Sequence, residues 1–439
     1  MTQENRSLWE GCDVLKLTES IPTPFFLFSK QAIASNINRL QNAFSMHTEK
    51  FRIDYCVKSN YEFMLLEVIR THGIGAMVTC PWELRLAKEV GFKPDSITYH
   101  GPCKSYDELK FAIESEIGLI HVYNHYELDM IQQIARDMEK TVRISLRIVA
   151  PRSRRQFSIP KWYAGRFGFS HNEILDIFGM SKNHPSVIIT GLGFHLGTQM
   201  VDPGDYFFAI KKLFCLIKEV YGLGYDIQEI TLGGGWPSDN IKPVNFKSLL
   251  KAFFVNEDTG CLNASKVHAE NVARFICKTA REKGISSIPS VRLEPGRGII
   301  GSAGILVTRV VRKKGNWIFV DAGRNYLPES LLFARRRIMQ LAKRAAKTHC
   351  LYNISGNTLN TMDVMAVGVK LPGVEIGDVL IFMDAGAYTL SRSVRYAGSA
   401  PNAFLSDEDC RIVQIRREET LEDITLPMVK AAERFSILE

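Results

Sequence analysis

Five kinds of residue that can do chemistry each stand just after a short apolar run in this sequence: Lys58 in "DYCVKSN", His195 in "GFHLGTQ", Gly233 to Gly235 in "LGGGWP", and Glu294 and Arg297 in "EPGRG". Each type has its own use. An amine in a partly desolvated pocket has a lowered pKa and condenses with aldehydes. A glycine run lets backbone N–H groups close on an anion, to which Arg297 adds charge and Thr198 a hydroxyl donor. A flat imidazole stacks on an aromatic ring, and a carboxylate pairs with a protonated ring nitrogen. Taken singly, each has a plainer explanation: a solvated lysine, a core histidine, a turn, an ion pair between Glu294 and Arg297. Their meaning depends on whether the fold gathers them.

The elements that must position them form a rhythm. From about residue 53 a short apolar run, a polar turn and an amphipathic stretch recur, the runs being "IDYCV", "GAMVT", "SITYH", "GLIHV", "RISLRI", "VIITGLGFHL", "IQEITLGGG" and "VRLEPG". Strands apolar along their whole length, alternating with helices such as the one predicted in "YEFMLLEVIRTHG", indicate a parallel sheet covered on both faces. Eight such strands close a TIM-like β/α barrel, whose functional residues sit where strands end; an open doubly wound sheet is the alternative. Lys58 follows the first strand, Arg147 ends the fifth, and His195, the glycine triplet and Glu294 follow the sixth, seventh and eighth.

Outside this rhythm, "TPFFLFS" reads as a strand leading into a helix whose Ile33, Ile37, Leu40 and Phe44 form one core-facing stripe. Beyond about residue 297, strand-like runs joined by Gly, Asn and Asp turns predict a mostly antiparallel β-domain with one helix over 329–345. The expected division is a barrel over 30–296 and a β-domain built from 1–29 and 297–439.

With 439 residues, 46% hydrophobic and 23% charged, the chain can bury a large core. The net charge of +8 is spread without long like-charged blocks, which argues against nucleic acid; the basic cluster "FARRRIMQLAKRAAK" reads as the solvated face of a helix. Nine scattered cysteines without CxxC or His/Cys ligand spacing imply neither a disulfide framework nor a metal site. The first residues lack the basic and apolar regions of a secretory signal, and no apolar run reaches the ~18 residues of a membrane span. A cytoplasmic location is expected.

Phosphate, ring nitrogen, planar ring and aldehyde, the four groups these residues would hold, are the features of pyridoxal 5′-phosphate. The motifs "YCVKSN", "TCPWEL", "YHGPCKS", "GFHLGTQ", "LGGGWP", "EPGRG" and "DAGAYTLS" occur in an order that resembles the fold-type III pyridoxal-phosphate decarboxylases acting on ornithine, arginine and diaminopimelate, a barrel of the alanine racemase type plus a β-domain. The resemblance runs from "TPFFLFS" to "IRREETLEDI". It implies that Lys58 is the Schiff-base lysine, His195 the stacking imidazole and Glu294 the partner of the ring nitrogen. It further implies that Thr198, Gly234, Gly235, Arg297 and Tyr388 hold the phosphate, with Arg297 and Tyr388 also near substrate, that Gly296 too touches the cofactor, and that Glu83 and Arg147 brace the lysine and the ring. The family's members are homodimers in which the β-domain reaches into the partner's site.

Four positions depart from the family pattern. Leu359 stands where the family has a cysteine associated with reprotonating the α-carbon, and Asn360 where it has an acid that recognises a distal ammonium. Met77 replaces an aspartate on the second strand, and Glu329 aligns with the distal carboxylate-binding arginine of the diaminopimelate enzymes. A leucine donates no proton and an amide carries no charge. These departures lead to the expectation that the substrate is neither diaminopimelate nor plain ornithine. The loop with Arg152, Arg154, Arg155 and Lys161 points to a carboxylated one, such as a citryl-linked siderophore precursor. A racemase or epimerase of the same fold, and a non-catalytic binding protein like the antizyme inhibitors, are the alternatives.

Overall fold

The computed structural model describes residues 8–151, 165–180, 186–243, 264–329, 334–341 and 349–428. Eight parallel strands form a closed barrel: β1 (Phe51–Cys56), β2 (Gly75–Val78), β3 (Ile97–Tyr99), β4 (Leu119–Val122), β5 (Val142–Arg147), β6 (Val187–Gly193), β7 (Glu229–Thr231) and β8 (Ser290–Leu293). Each pairs with the next in sequence, and β8 pairs with β1 through Val291–Phe51, Arg292–Arg52 and Leu293–Ile53, which decides for the barrel over the open sheet. The strands are buried on both faces because helices cover the outside and side chains such as Tyr55, Ile144, Leu192 and Val291 fill the rest.

The strand Phe25–Ser29 lies outside the barrel, between Gly304–Lys314 (antiparallel) and Asn402–Ser406 (parallel) in a nine-stranded sheet. Ser29 then caps the helix Lys30–Ser45 by accepting from the Ala32 N–H at 3.1 Å, and Ile33, Ile37, Leu40 and Phe44 of that helix are buried. In the sheet, Gly304–Lys314 is the long central strand: its first half pairs with Phe25–Ser29 and Val379–Phe382, its second with Trp317–Val320. All pairs but two are antiparallel, the exceptions joining Phe25–Ser29 to Asn402–Ser406 and Trp317–Val320 to His349–Ser355.

Among the described residues of 329–345, strands stand where a helix is expected. Ala334–Arg336 pairs with Ile241–Pro243, and Ile338–Leu341 pairs with Val379–Phe382. The basic run that reads as a solvated face includes Arg336, whose guanidinium is buried and donates to the Asp384 carbonyl, while Gln340 Nε2 donates to Asp378 Oδ2 at 2.8 Å. Tertiary pairing at the sheet edge overrides the local helical spacing.

One loop of the sheet domain is clamped to the barrel mouth. The Tyr388 N–H donates to the Ser59 carbonyl at 2.8 Å, Ser391 Oγ donates to the same carbonyl at 3.0 Å, and Asn60 Nδ2 donates to the Gly386 carbonyl at 3.0 Å. Gly386 has to be glycine, since a Cβ there would lie 1.8 Å from the Ile300 carbonyl oxygen.

Candidate active site

Lys58 owes its position to the short 3-10 turn Val57–Ser59 that ends β1. Ser59 Oγ donates to the Cys56 carbonyl at 2.7 Å, Tyr55 Oη donates to the Asn60 carbonyl at 2.9 Å, and Val57 is buried, so the backbone around the lysine is held from below while its side chain stays exposed. An amine at the mouth of a buried strand is therefore aimed, because the turn directs it into a cavity of about 310 Å³ at the carboxyl ends of the strands. Lys58, Arg147, His195, Thr198, Gly234, Gly235, Glu294, Gly296, Arg297 and Tyr388 all line that cavity.

The walls have distinct chemistry. The His195 imidazole is held by its Nδ1, which accepts from the Gly234 N–H at 3.1 Å, so the proton rides on Nε2. Gly235 adopts φ +94, and a Cβ on it would meet the Gly197 carbonyl oxygen at 2.6 Å; the glycine loop is thus backbone brought close to the cavity. Arg297 is buried, stacks over Tyr388 at 5.1 Å and gives Nη2 to Glu329 Oε2 at 2.6 Å, while its Nε and Nη1 have no protein partner. Tyr388 itself sits at φ +57, a left-handed conformation costly for a side chain of that size. Cys56 lines the same cavity, and burial pushes its thiol up to about 11, against the pull of Lys58.

Beside the glycine loop lies Glu294, whose N–H donates to the Gly233 carbonyl at 3.1 Å. Burial raises its carboxyl above the ordinary range, while His121, Arg147, Arg292 and Lys58 pull it down. Its Oε1 meets His100 Nε2 at 2.5 Å, and His100 Nδ1 meets Tyr123 Oη at 2.9 Å. His121 stacks on His100 with ring centroids 3.7 Å apart. Burial lowers both imidazoles well below the usual histidine range, so both are neutral near pH 7. The ligand-type atoms of His100, His121 and Glu294 lie within 4.8 Å of one another, the one such cluster found among the described residues.

Five residues singled out in the sequence are not on the cavity wall: Gly233, Glu329, Glu83, Leu359 and Asn360. Glu83 is buried beneath it, its Oε2 accepting from the Thr79 N–H (2.6 Å) and hydroxyl (3.0 Å); burial raises its carboxyl, opposed by Thr79 and Lys58. Leu359 is 100% exposed, and the exposed Asn360 turns its Oδ1 back to the Met362 N–H at 2.9 Å. Arg152, Arg154, Arg155 and Lys161 lie outside the described residues. His100, Tyr123 and Trp236 line the cavity without having been singled out. His100 and Tyr123 are the first residues beyond β3 and β4, so the rule that strand ends carry function would have found them.

This is a β/α-barrel site that offers an amine, an anion cradle and a buried carboxylate to one small molecule. The chain belongs to the family of pyridoxal-dependent decarboxylases, whose pyridoxal-binding domain matches residues 31–301. It is 28% identical to the diaminopimelate decarboxylase of Archaeoglobus fulgidus, over 94% of this chain and 95% of that one. With the diaminopimelate decarboxylase of Aquifex aeolicus it shares 28% over 95% and 94% of the two chains. The solved diaminopimelate decarboxylase of Helicobacter pylori complexed with L-lysine superposes with a TM-score of 0.81 at 24% identity, covering 94% of this chain and 98% of that one. The family places the chain among pyridoxal-phosphate-dependent amino-acid carboxy-lyases. Among the described residues no helix is long and apolar enough to cross a membrane.

These relatives overturn the expectation that diaminopimelate is excluded, and the carboxylated siderophore precursor falls with it. Leu359 and Asn360 lie outside this chain's own cavity. Glu329 is bound on both oxygens, to Arg297 Nη2 at 2.6 Å and Arg392 Nη1 at 2.8 Å, and its charge is neutralised by that pair.

Proposed function

We propose that the protein decarboxylates a diamino acid, with diaminopimelate the first substrate to assay, and works as a homodimer whose sites are completed by the partner. The observation that carries the reading is the end-to-end similarity to diaminopimelate decarboxylases in a chain whose Lys58, Glu294 and Arg297 share one cavity. The donor set fits pyridoxal phosphate. Arg297 has two buried N–H groups without a partner, as a phosphate ligand needs, and the Gly234–Gly235 backbone stands beside them with Thr198. When bound, the cofactor supplies the electron sink for the bond that breaks.

The chain's own residues supply orientation and exclusion. Lys58 provides the amine, steered by the Val57–Ser59 turn. His195, with Nδ1 anchored to Gly234, presents a fixed ring face. Glu294 offers a carboxylate to the ring nitrogen. Arg147 is buried, lies over Tyr123 at 5.7 Å and donates to the His195 carbonyl at 3.4 Å, closing the wall between β4 and β6.

The dimer rests on the turn at Leu359. Asp363 Oδ2 accepts from the Thr358 N–H (2.8 Å) and hydroxyl (2.5 Å), and its Oδ1 accepts from the Arg324 N–H (2.9 Å). A rigid turn that presents Leu359 and Met362 to solvent fits burial against a second copy.

The test is borohydride reduction of the cofactor-loaded protein with peptide mapping, alongside assay of CO₂ and lysine from diaminopimelate. The label is expected on Lys58, with stoichiometric CO₂ and lysine. A label on another lysine, or CO₂ released from other diamino acids but not from diaminopimelate, would overturn the corresponding half of the reading. Leu359→Asp is expected to shift the sedimenting species from dimer to monomer.

A further inference from the structure

Glu294 stands at the end of a hydrogen-bonded chain that its assignment as a ring-nitrogen partner does not explain. A carboxylate buried this deeply is costly as an anion unless it accepts hydrogen bonds. Its Oε1 has one at 2.5 Å, from His100, and the other nitrogen of that imidazole faces the Tyr123 hydroxyl at 2.9 Å. A neutral imidazole has one N–H and one lone pair. A carboxylate can only accept, so the proton sits on Nε2; Nδ1 then accepts, and the Tyr123 hydroxyl must donate. The direction of the whole chain is set by the charge at its end. His121, buried and stacked on His100, has no hydrogen-bond partner on either nitrogen, which leaves it a flat wall against the imidazole. It holds the ring plane, and its Nε2 stands 3.7 Å from Glu294 Oε1, beyond hydrogen-bond distance, so His100 makes the short contact to that oxygen.

We propose that His100 is the positioning residue for Glu294: as the Nε2–H tautomer, fixed by Tyr123 and stacked on His121, it occupies Oε1, keeps the carboxylate ionised, and leaves Oε2 for the ring nitrogen of the cofactor. The inference rests on the reading of Glu294 given above. The titratable groups facing His100 are Arg147, Lys104, Lys58 and His195, and those facing Glu294 are His121, Arg147, Arg292 and Lys58. All are cationic or neutral, so none replaces His100 as the donor of a short, aligned hydrogen bond unless it moves.

The first measurement needs no cofactor. In ¹⁵N-histidine-labelled apoprotein, His100 is expected to show a protonated Nε2 and a bare Nδ1 across the neutral range; a proton on Nδ1 would overturn the proposal. The second compares variants reconstituted with pyridoxal phosphate. His100→Leu is expected to raise the cofactor dissociation constant roughly tenfold, the loss of one hydrogen bond to a charged group, and to lower the pH at which the ring nitrogen's absorption change occurs. His100→Gln, whose amide can place an N–H where Nε2 stood, should restore both. If His100→Leu matched the wild type in affinity and absorption, or if Gln rescued neither, the proposal would be wrong. Should His100→Leu fail to fold, Tyr123→Phe serves: it removes the donor to Nδ1 without touching Glu294, and must move the His100 Nδ1 resonance. Were the wild type to take up no cofactor, the functional reading would fall, while the apoprotein spectrum would still support or overturn the tautomer.

Discussion

Arg292 and Arg297 lie on and just beyond the last barrel strand, both buried, yet they are used in opposite ways. Arg292 gives Nη1 to Asp54 Oδ2 at 2.5 Å and Nη2 to Glu229 Oε2 at 2.9 Å, with Thr98 Oγ1 donating to Asp54 at 3.3 Å. Those partners stand on β1, β7 and β3, so the network bridges the seam where β8 meets β1 and the barrel closes. Arg297 binds Glu329 through Nη2 alone and keeps two buried donors without a protein partner. The same side chain is a tie inside the barrel and a receptor at its mouth. What separates them is whether the carboxylates have claimed both terminal nitrogens.

The sharpest way to break this division is at the mouth. Lys58→Ala should abolish the borohydride-reducible linkage and lower turnover by roughly 10²- to 10⁴-fold with the unfolding midpoint little changed, as measured by CO₂ release and thermal denaturation. The opposite pattern is expected inside the barrel. Arg292→Met strands two buried carboxylates and should cost about 3–5 kcal/mol of stability, read from urea unfolding, while the folded fraction binds pyridoxal phosphate as before. Equal cofactor loss in both variants would erase the distinction.

Acid separates the regions as well, and the signs differ. Burial pushes Asp54 up to about 6 despite Arg292, so its contribution is fully present below the unfolded value near 4 and is lost as pH rises through 6. His268, packed edge-on against Tyr206 and Trp236 beside the glycine loop, is lowered by burial to about 4. Its contribution is present above the unfolded value near 6.5 and is lost as pH falls through 4. His100 and His121, lowered in the same direction, add to that loss. Between pH 6.5 and 4, His268→Phe should therefore remove about 3 kcal/mol of acid destabilisation, seen as a flatter plot of unfolding free energy against pH. A profile parallel to the wild type would show that His268 is already charged in the folded protein.

What the amino-acid pattern revealed, and what it hid, follow the same division. The eight strands were legible because parallel strands covered on both faces are apolar along their length, and the rim residues because each follows such a run. Arg336 was illegible for the converse reason: a basic residue at helical spacing looks alike whether it is solvated or, as here, buried against the Asp384 carbonyl. His100 stands at a strand end, within reach of the strand-end rule, but its pairing with His121 and Glu294 carries no local signal, since only barrel closure brings β3 and β4 against the end of β8. Leu359 and Asn360 misled because two substitutions on one exposed turn say less about substrate than similarity spread over the whole chain.

The smallest effect tests the comparison from the receptor side. If Arg297 is reserved for an anion, Arg297→Met should cost less stability than Arg292→Met, because Glu329 keeps its second partner, Arg392, at 2.8 Å, and two unpaired buried donors leave with the arginine. It should weaken pyridoxal phosphate by about 1.5–3 kcal/mol, the worth of a hydrogen bond to a charged group, with a smaller loss for pyridoxal, which lacks the phosphate. Arg297→Lys keeps the charge but not the fork, and should fall between the two. Equilibrium binding of both ligands to the three proteins decides it. If pyridoxal and pyridoxal phosphate lose affinity equally, Arg297 shapes the cavity without holding the phosphate, and the contrast with Arg292 becomes one of position alone.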